Sequence, residues 1–283
     1  MYLLNKDKLK NIDISKVTLG SDPEFFIFDS KKSEFVASCG WIGGTKKAPV
    51  YLESKLGYQE DNVALEFNVP PTVSSRDLMN NVGKLISYIE TKYSFKEKGY
   101  EIVPVASAYF TPEQLDSEQA QTFGCDPDYN AWSNSVNEIN IINTSLRSCG
   151  GHVHVGYENP NVDSNLQIIR LLDLYLGVPS VLLDLDTDRK QLYGKAGAFR
   201  HQPYGVEFRT LSNFWLSSQH LADWVFNNVF IALDKFNSGF EFDADTAALI
   251  QNCINQNDTI RANYIIEKFS IPMPEYKEEK VII

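Results

Sequence analysis

The sequence predicts an α+β fold in which a sheet is backed by helices on one face. Three observations carry this reading. Several aromatic or β-branched runs hold polar residues at alternate positions; helical periodicities fall between them irregularly; and no fixed-period repeat or low-complexity linker divides the chain. The expected unit is residues 1–283 as one domain, helical from 226 onward, with 43% hydrophobic residues, 17 Phe and 14 Tyr as core material.

The elements follow in order. Leu19–Phe28 reads as a strand, because Glu24-Phe25-Phe26-Ile27-Phe28 is aromatic and β-branched. Val63–Val69 reads as another, ended by Pro70-Pro71. Ser74 or Ser75 caps a helix over about Arg76–Tyr93, where Leu78, Val82, Leu85, Ile86 and Ile89 recur at helical spacing. Glu101–Phe110, Asn137–Leu146 and His152–Tyr157 are strands, the last two joined by a turn at Arg147–Gly151. Asp163–Leu176 is a helix, kinked or interrupted before Pro179. Val206–Leu211 is the last strand, and Ser218–Phe236 and Asp243–Lys268 are closing helices.

Composition narrows the function classes. A net charge of −11 disfavours a broad nucleic-acid footprint or adhesion to anionic membranes. The first residues lack a signal-peptide core, and Leu171–Leu185, with Asp173, Pro179 and Asp184, is not expected to cross a bilayer, so the expectation is a soluble, cytoplasmic protein. Cys39, Cys125, Cys149 and Cys253 form no Cys-x-x-Cys pair and read as reduced thiols.

Four segments place metal-binding or cationic side chains at alternate positions, hence on a shared strand face. Asp22 and Glu24 would stand about 6 to 7 Å apart along a strand, within reach of neighbouring divalent ions, although such a pair is common on solvated strand starts. In Ala64-Leu65-Glu66-Phe67-Asn68, Glu66 shares a face with Ala64 and Asn68, as it would on any amphipathic strand. In Gly150-Gly151-His152-Val153-His154, both imidazoles share a face and the glycines admit close approach to the backbone; such a pair binds metal, contacts phosphate or fills a core position. The window 189–209 holds Arg189, Lys190, Lys195, Arg200 and Arg209 against Glu207 alone, a +4 island interleaved with Gly, Phe and Tyr. Together, carboxylates at 22, 24, 66 and 207, with His152, supply ligands for Mg²⁺, and the arginines supply partners for a polyphosphate; ATP with Mg²⁺ or Mn²⁺ is the expected guest. No phosphate-cradling Gly-rich loop is present, so the phosphates are expected over a sheet face.

Gly20–Phe26, Asp61–Pro71, Gly150–Tyr157 and Tyr193–Trp215 resemble, in order, the signature blocks of the phage-type amidoligases, type 2, carboxylate–amine ligases of the glutamine synthetase and γ-glutamylcysteine synthetase superfamily. The resemblance spans about residues 15–225. It implies a curved antiparallel sheet of the glutamine synthetase catalytic type, with ATP and two or three Mg²⁺ or Mn²⁺ ions on the concave face. By position, Asp22, Glu24, Glu66, His152 and Glu207 resemble the metal ligands, with Asp61 a further candidate. Arg200 and Arg209 resemble the phosphate clamps, His152, His154 and Lys195 further phosphate contacts, and Arg200, Arg209 and Glu66 the catalytic set. Asp22 departs from the Glu-x-Glu of glutamine synthetase and has a shorter reach. The implied reaction is amide formation between small-molecule or peptide carboxylates and amines through an acyl phosphate. A phosphotransferase of the same fold and a non-catalytic phage binding or virion module are the alternatives.

Overall fold

A computed structural model describes residues 1–52, 55–121, 128–137 and 144–275. Its strands are β1 (Thr18–Gly20), β2 (Glu24–Asp29), β3 (Glu34–Val36), β4 (Val50–Tyr51), β5 (Gly57–Asp61), β6 (Ala64–Asn68), β7 (Tyr100–Val103), β8 (Ser107–Tyr109), β9 (Tyr129–Asn130), β10 (Ser135–Val136), β11 (Leu146–Ser148), β12 (Val153–Gly156), β13 (Ala198–Gln202) and β14 (Gly205–Phe208). The helices are α1 (Ser75–Lys92), α2 (Phe95–Lys98), α3 (Glu118–Gln121), α4 (Val162–Leu172), α5 (Val178–Leu183), α6 (Gln219–Asn237), α7 (Ala244–Gln256) and α8 (Thr259–Phe269). The fold is α+β, as expected, and its strands make a strongly curled antiparallel half-barrel. One part runs β1-β12-β14-β13-β9-β10; the other runs β3-β2-β6-β5-β4, with β7 also on β2; β8 pairs with β11.

The expected first strand, Leu19–Phe28, is instead two. Pro23 has no N–H to give a ladder, so pairing stops at Gly20 and resumes at Glu24. β1 then pairs with β12 and β2 with β6, which carries the chain from one part of the half-barrel to the other. Glu101–Phe110 breaks in the same way at Pro104, into β7 and β8. Of Asn137–Leu146, residues 138–143 lie outside the described residues; the expected turn at 147 is still strand, because β11 continues to Ser148. β13, in the positive window, was not expected.

Alternation places the core and the site on opposite faces. Val153, Val155, Phe199, Val206 and Phe208 are fully or almost fully buried, whereas His154, Arg200 and Glu207 project the other way. α4 covers the apolar side, packing on β13 and β14 and in turn against α6. α1, capped by Ser74, buries Leu78, Val82, Leu85 and Ile89 and contacts β7 and α6.

The helix starting near Asp163 does not end before Pro179. It runs on from Val162 to Leu183 through a wide π-turn at Asp173–Gly177, and Pro179 falls in the first turn of α5, where a missing N–H costs little. By length and composition this helix is apolar enough to cross a membrane, contrary to the expectation for its second half, but 89% of its most apolar stretch is buried inside the fold. Asp243–Lys268 is also two helices rather than one. Asn257 adopts a left-handed conformation (φ 52°) that closes α7, and Asp258 caps α8 by accepting a hydrogen bond from the Arg261 amide at 2.8 Å.

Candidate metal and anion site

A cleft of about 350 Å³ opens between the two parts of the half-barrel. Asp22, Glu24, Asp61, Glu66, His152, Arg200 and Arg209 all line it, so residues scattered over nearly 190 positions meet in one place. The sheet register explains how. Gly20, His154, Glu207 and Arg200 are successive cross-strand partners on β1, β12, β14 and β13. One step along, His152 and Arg209 flank this row, with the Arg209 guanidinium 3.3 Å from His152 Nδ1. On the other part, Glu24 of β2 stands directly opposite Glu66 of β6, and Glu66 opposite Gln59 of β5.

Asp22, in the Pro23-interrupted connection, does not share a strand face with Glu24. Its Oδ1 instead lies 3.0 Å from His152 Nδ1 and 3.2 Å from His154 Nε2, which confirms that the two imidazoles share a face. Asp22, His152 and Glu207 each offer a ligand atom, all within 4.8 Å of one another. This is the group among the described residues best placed to hold a metal ion. Glu24 and Glu66 stand outside it, on the other wall. Gly150 makes room for the His152 ring: a Cβ there would fall 2.3 Å from Nε2.

Each carboxylate is oriented by a partner. Glu207, 2% exposed, accepts from Gln202 Nε2 at 2.8 Å and from Arg209 Nη1, with Arg200 Nη1 at 3.9 Å. Glu66 accepts from Gln59 Nε2 at 2.7 Å, and Gln59 is held in turn by Asn68 at 2.8 Å. Glu24 accepts from the Gly150 amide at 2.6 Å. Arg209 Nε also forms an ion pair with Asp128 Oδ1 at 2.9 Å, and Asp61 faces Lys46 at 3.8 Å.

The two walls differ electrostatically. Burial opposes ionisation of Asp22, yet His152 and His154 outweigh it and hold the carboxyl well below the usual range. Burial, then the Arg209 charge, lowers the His152 pKa, favouring the neutral imidazole that a metal requires. Burial also works against the His154 charge, but Asp22 overcomes it and the net shift is upward. On the other wall, burial followed by Asp61 and Glu66 pushes Glu24 up to about 8, and burial followed by Asp22 and Asp61 pushes Glu66 up to about 7. That wall is short of positive charge, and a divalent cation beside it would keep these carboxyls ionised. Oxygen donors with one imidazole suit Mg²⁺ or Mn²⁺, so the residues fit the expected ion.

The remaining candidates are placed as follows. Lys195 is exposed and does not line the cleft; His154 stands behind Asp22, half-buried. Asp128, Arg147 and Gln59 were missed. Gln59 and Asp61 alternate on β5 as Glu66 and Asn68 do on β6, a usable signal; Asp128 and Arg147 carried none. Arg147 is buried and donates to Asn62 Oδ1 and to the Ala120, Thr144 and Leu146 carbonyls, bracing the cleft wall.

The model of the family described as phage phiEco32-like COOH.NH2 ligase-type 2 matches residues 143–267. Over that stretch the chain is similar to that family. The match covers β11 to most of α8, and with them His152, Arg200, Glu207 and Arg209, so one wall of the cleft lies inside the ligase match. Asp22, Glu24 and Glu66 lie outside it and join the site through the fold alone. No curated protein matches the chain by sequence.

Proposed function

We propose that this chain, which is similar over residues 143–267 to a COOH.NH2 ligase family, joins a carboxylate to an amine at the expense of ATP, through an acyl phosphate. The observation that carries the proposal is a cleft lined by Asp22, His152, Arg200 and Arg209, whose Asp22 and His152 form a three-ligand metal group with Glu207, in a chain matched over residues 143–267 by a carboxylate–amine ligase family. We assign the curled sheet to the glutamine synthetase catalytic type on the same grounds.

A free carboxylate is a poor electrophile, so it must first be activated. Its oxygen attacks the γ-phosphorus of ATP and ADP leaves; the amine then attacks the acyl carbon, loses a proton, and phosphate departs as the amide forms. Bound Mg²⁺ or Mn²⁺ supplies neutralisation of the phosphate charge. Asp22, His152 and Glu207 would hold one such ion, and Glu24 and Glu66 would hold another against the opposite wall. Arg200 and Arg209 bind phosphate oxygens and stabilise the charge of the transferring group. No protein nucleophile is consumed. The reliance on ATP places the reaction in the cytoplasm, of an infected host if the gene is viral, and the substrates are small or peptide carboxylates and amines.

The test is incubation with ATP, Mg²⁺ and pooled amino acids, polyamines and peptides, read by mass spectrometry. The expected product has the summed mass of two components minus one water, formed with ADP and phosphate and abolished by excess chelator. AMP release would reject the acyl phosphate. A stable phosphorylated product without amide would make the chain a phosphotransferase, and ATP turnover in excess chelator would remove the metal from the mechanism.

A further inference from the structure

Arg189 is the cation in the cleft that the reading above leaves without a task. It sits on a single helical turn, Asp188–Gln191, whose amides at 188 and 189 both donate to Asp186 Oδ1 at 3.0 Å. The side chain is 3% exposed and lines the cleft beside Leu192 and Tyr193. Its Nη1 donates to the Thr210 carbonyl at 3.0 Å and its Nη2 to the Arg209 carbonyl at 3.3 Å, while Nε has no acceptor. Gly194 (φ +78°) is shaped around it, since a Cβ there would fall 2.1 Å from Nη1.

No carboxylate among the described residues forms an ion pair with Arg189; Glu24 and Asp184 act on it only through space. A buried guanidinium served by neutral carbonyls alone keeps its charge uncompensated in a poorly solvated wall. Arg209, by contrast, has both Glu207 and Asp128. A fixed, buried and incompletely satisfied guanidinium at the wall of a cleft is built to receive an oxyanion, and its planar fork suits a carboxylate.

We infer that Arg189 binds the carboxylate group of the substrate, at a position separate from the phosphate contacts of Arg200 and Arg209. The inference rests on the ligase reading for the word substrate, but the anion site itself does not. The polyphosphate end of the cleft is already provided for by two arginines beside the metal group. Arg189 approaches from another element, the turn Asp188–Gln191, and lines the cleft as Tyr193 does.

The experiment observes arginine Nε–Hε resonances of the full chain by NMR, with Arg189→Lys assigning the Arg189 signal. Acetate, inorganic phosphate and Mg²⁺–ADP are titrated separately. Acetate is expected to shift the Arg189 signal saturably, with half-saturation about tenfold or more below that of phosphate, a margin of about 1.4 kcal/mol. Mg²⁺–ADP is expected to shift Arg200 and Arg209 instead. If phosphate or Mg²⁺–ADP moves Arg189 as readily as acetate, the residue is a third phosphate contact and the inference fails. If Mg²⁺–ADP moves the other two and nothing moves Arg189, the inference fails while the ligase reading stands. Acetate moving Arg189 with no response anywhere to Mg²⁺–ADP would keep the carboxylate site and sink the nucleotide reading.

Discussion

Glu207→Gln separates the structural from the metal-binding part of the site. The swap keeps the side chain's shape and its place opposite His154 and Arg200, but removes its charge. In the native protein Glu207 takes hydrogen bonds from Gln202 at 2.8 Å and from Arg209, with His152 Nδ1 at 3.5 Å. Arg209 keeps Asp128 at 2.9 Å, so the variant does not strand an unpaired buried cation, and the full 3 to 5 kcal/mol typical of breaking a buried pair does not apply. The loss of one charge-assisted hydrogen bond, about 1.5 to 3 kcal/mol, is the better figure. For a chain of this size that lowers Tm by roughly 3 to 12 °C. The metal effect is read on top of it. Mn²⁺ at 100 times its Kd stabilises the wild type by about 2.7 kcal/mol, and a tenfold loss of affinity in the variant cuts this to about 1.4 kcal/mol at the same concentration. Thermal unfolding with and without Mn²⁺, alongside calorimetric titration, measures both numbers. A variant that unfolds lower but retains the whole Mn²⁺ increment would show that Glu207 is a structural partner of Arg209 and no metal ligand.

Further outcomes are expected. Glu66→Gln keeps its contact with Gln59 and the circular dichroism of the wild type, but loses ADP formation by at least about tenfold; wild-type turnover would take the β5–β6 wall out of the metal site. Arg200→Ala and Arg209→Ala weaken nucleotide binding by about 1.5 to 3 kcal/mol, and Arg209→Lys fails to restore it because an ammonium lacks the fork; titration of Mg²⁺–ADP checks this. Asp173, fully buried, is pushed up to about 7 by burial, against hydrogen bonds from Trp132 and Gly197 at 2.6 Å and Thr210 at 3.1 Å. Its folded pKa exceeds its unfolded one of about 3.9, so its contribution to stability is whole below about pH 4 and is lost as pH rises through 7. Chemical denaturation from pH 4 to 8 should show a shallower decline in Asp173→Asn, and an identical profile would mean that Asp173 is ionised throughout.

The sequence was legible wherever a single strand or helix decided the outcome. Period-2 alternation was enough to put His152 with His154, and Glu66 with Asn68, on common faces, because side-chain direction in a strand is a local property. It misjudged Asp22 and Glu24, where Pro23 turns one apparent strand into two that belong to different parts of the half-barrel. The same limit hid β13: Arg200 and His201 look like loop residues until pairing with Glu207 and Val206 makes them strand. Asp128 and Arg147 were illegible for another reason. Each acts through a partner far away in the chain, Arg209 for one and Asn62 for the other, and no spacing rule links such positions.

The break at Pro23 also gives the cleft its polarity. Had Leu19–Phe28 run as one strand, both acids would have faced one wall and competed for the same cations. Instead Asp22 joins the wall where His154, Arg200 and Arg209 balance its charge and that of Glu207 and where His152 contacts it at 3.0 Å, while Glu24 joins Asp61 and Glu66, where Lys46 at 3.8 Å is the partner of Asp61. One wall thus suits a phosphate held by arginines with a metal ion shared among its ligands, and the other attracts a cation. The proposed reaction, which brings a polyanion against a carboxylate, would use both: the first wall would hold the donor, and a cation on the second would offset the repulsion between the two anions. Asp22→Glu tests this division without altering charge. The longer side chain should perturb the His152 and His154 resonances most, since both rings touch Asp22, and displace the Glu66 titration only slightly, because Asp22 reaches Glu66 through space alone; loss of the raised Glu66 titration in the variant would mean that the two walls act as one site.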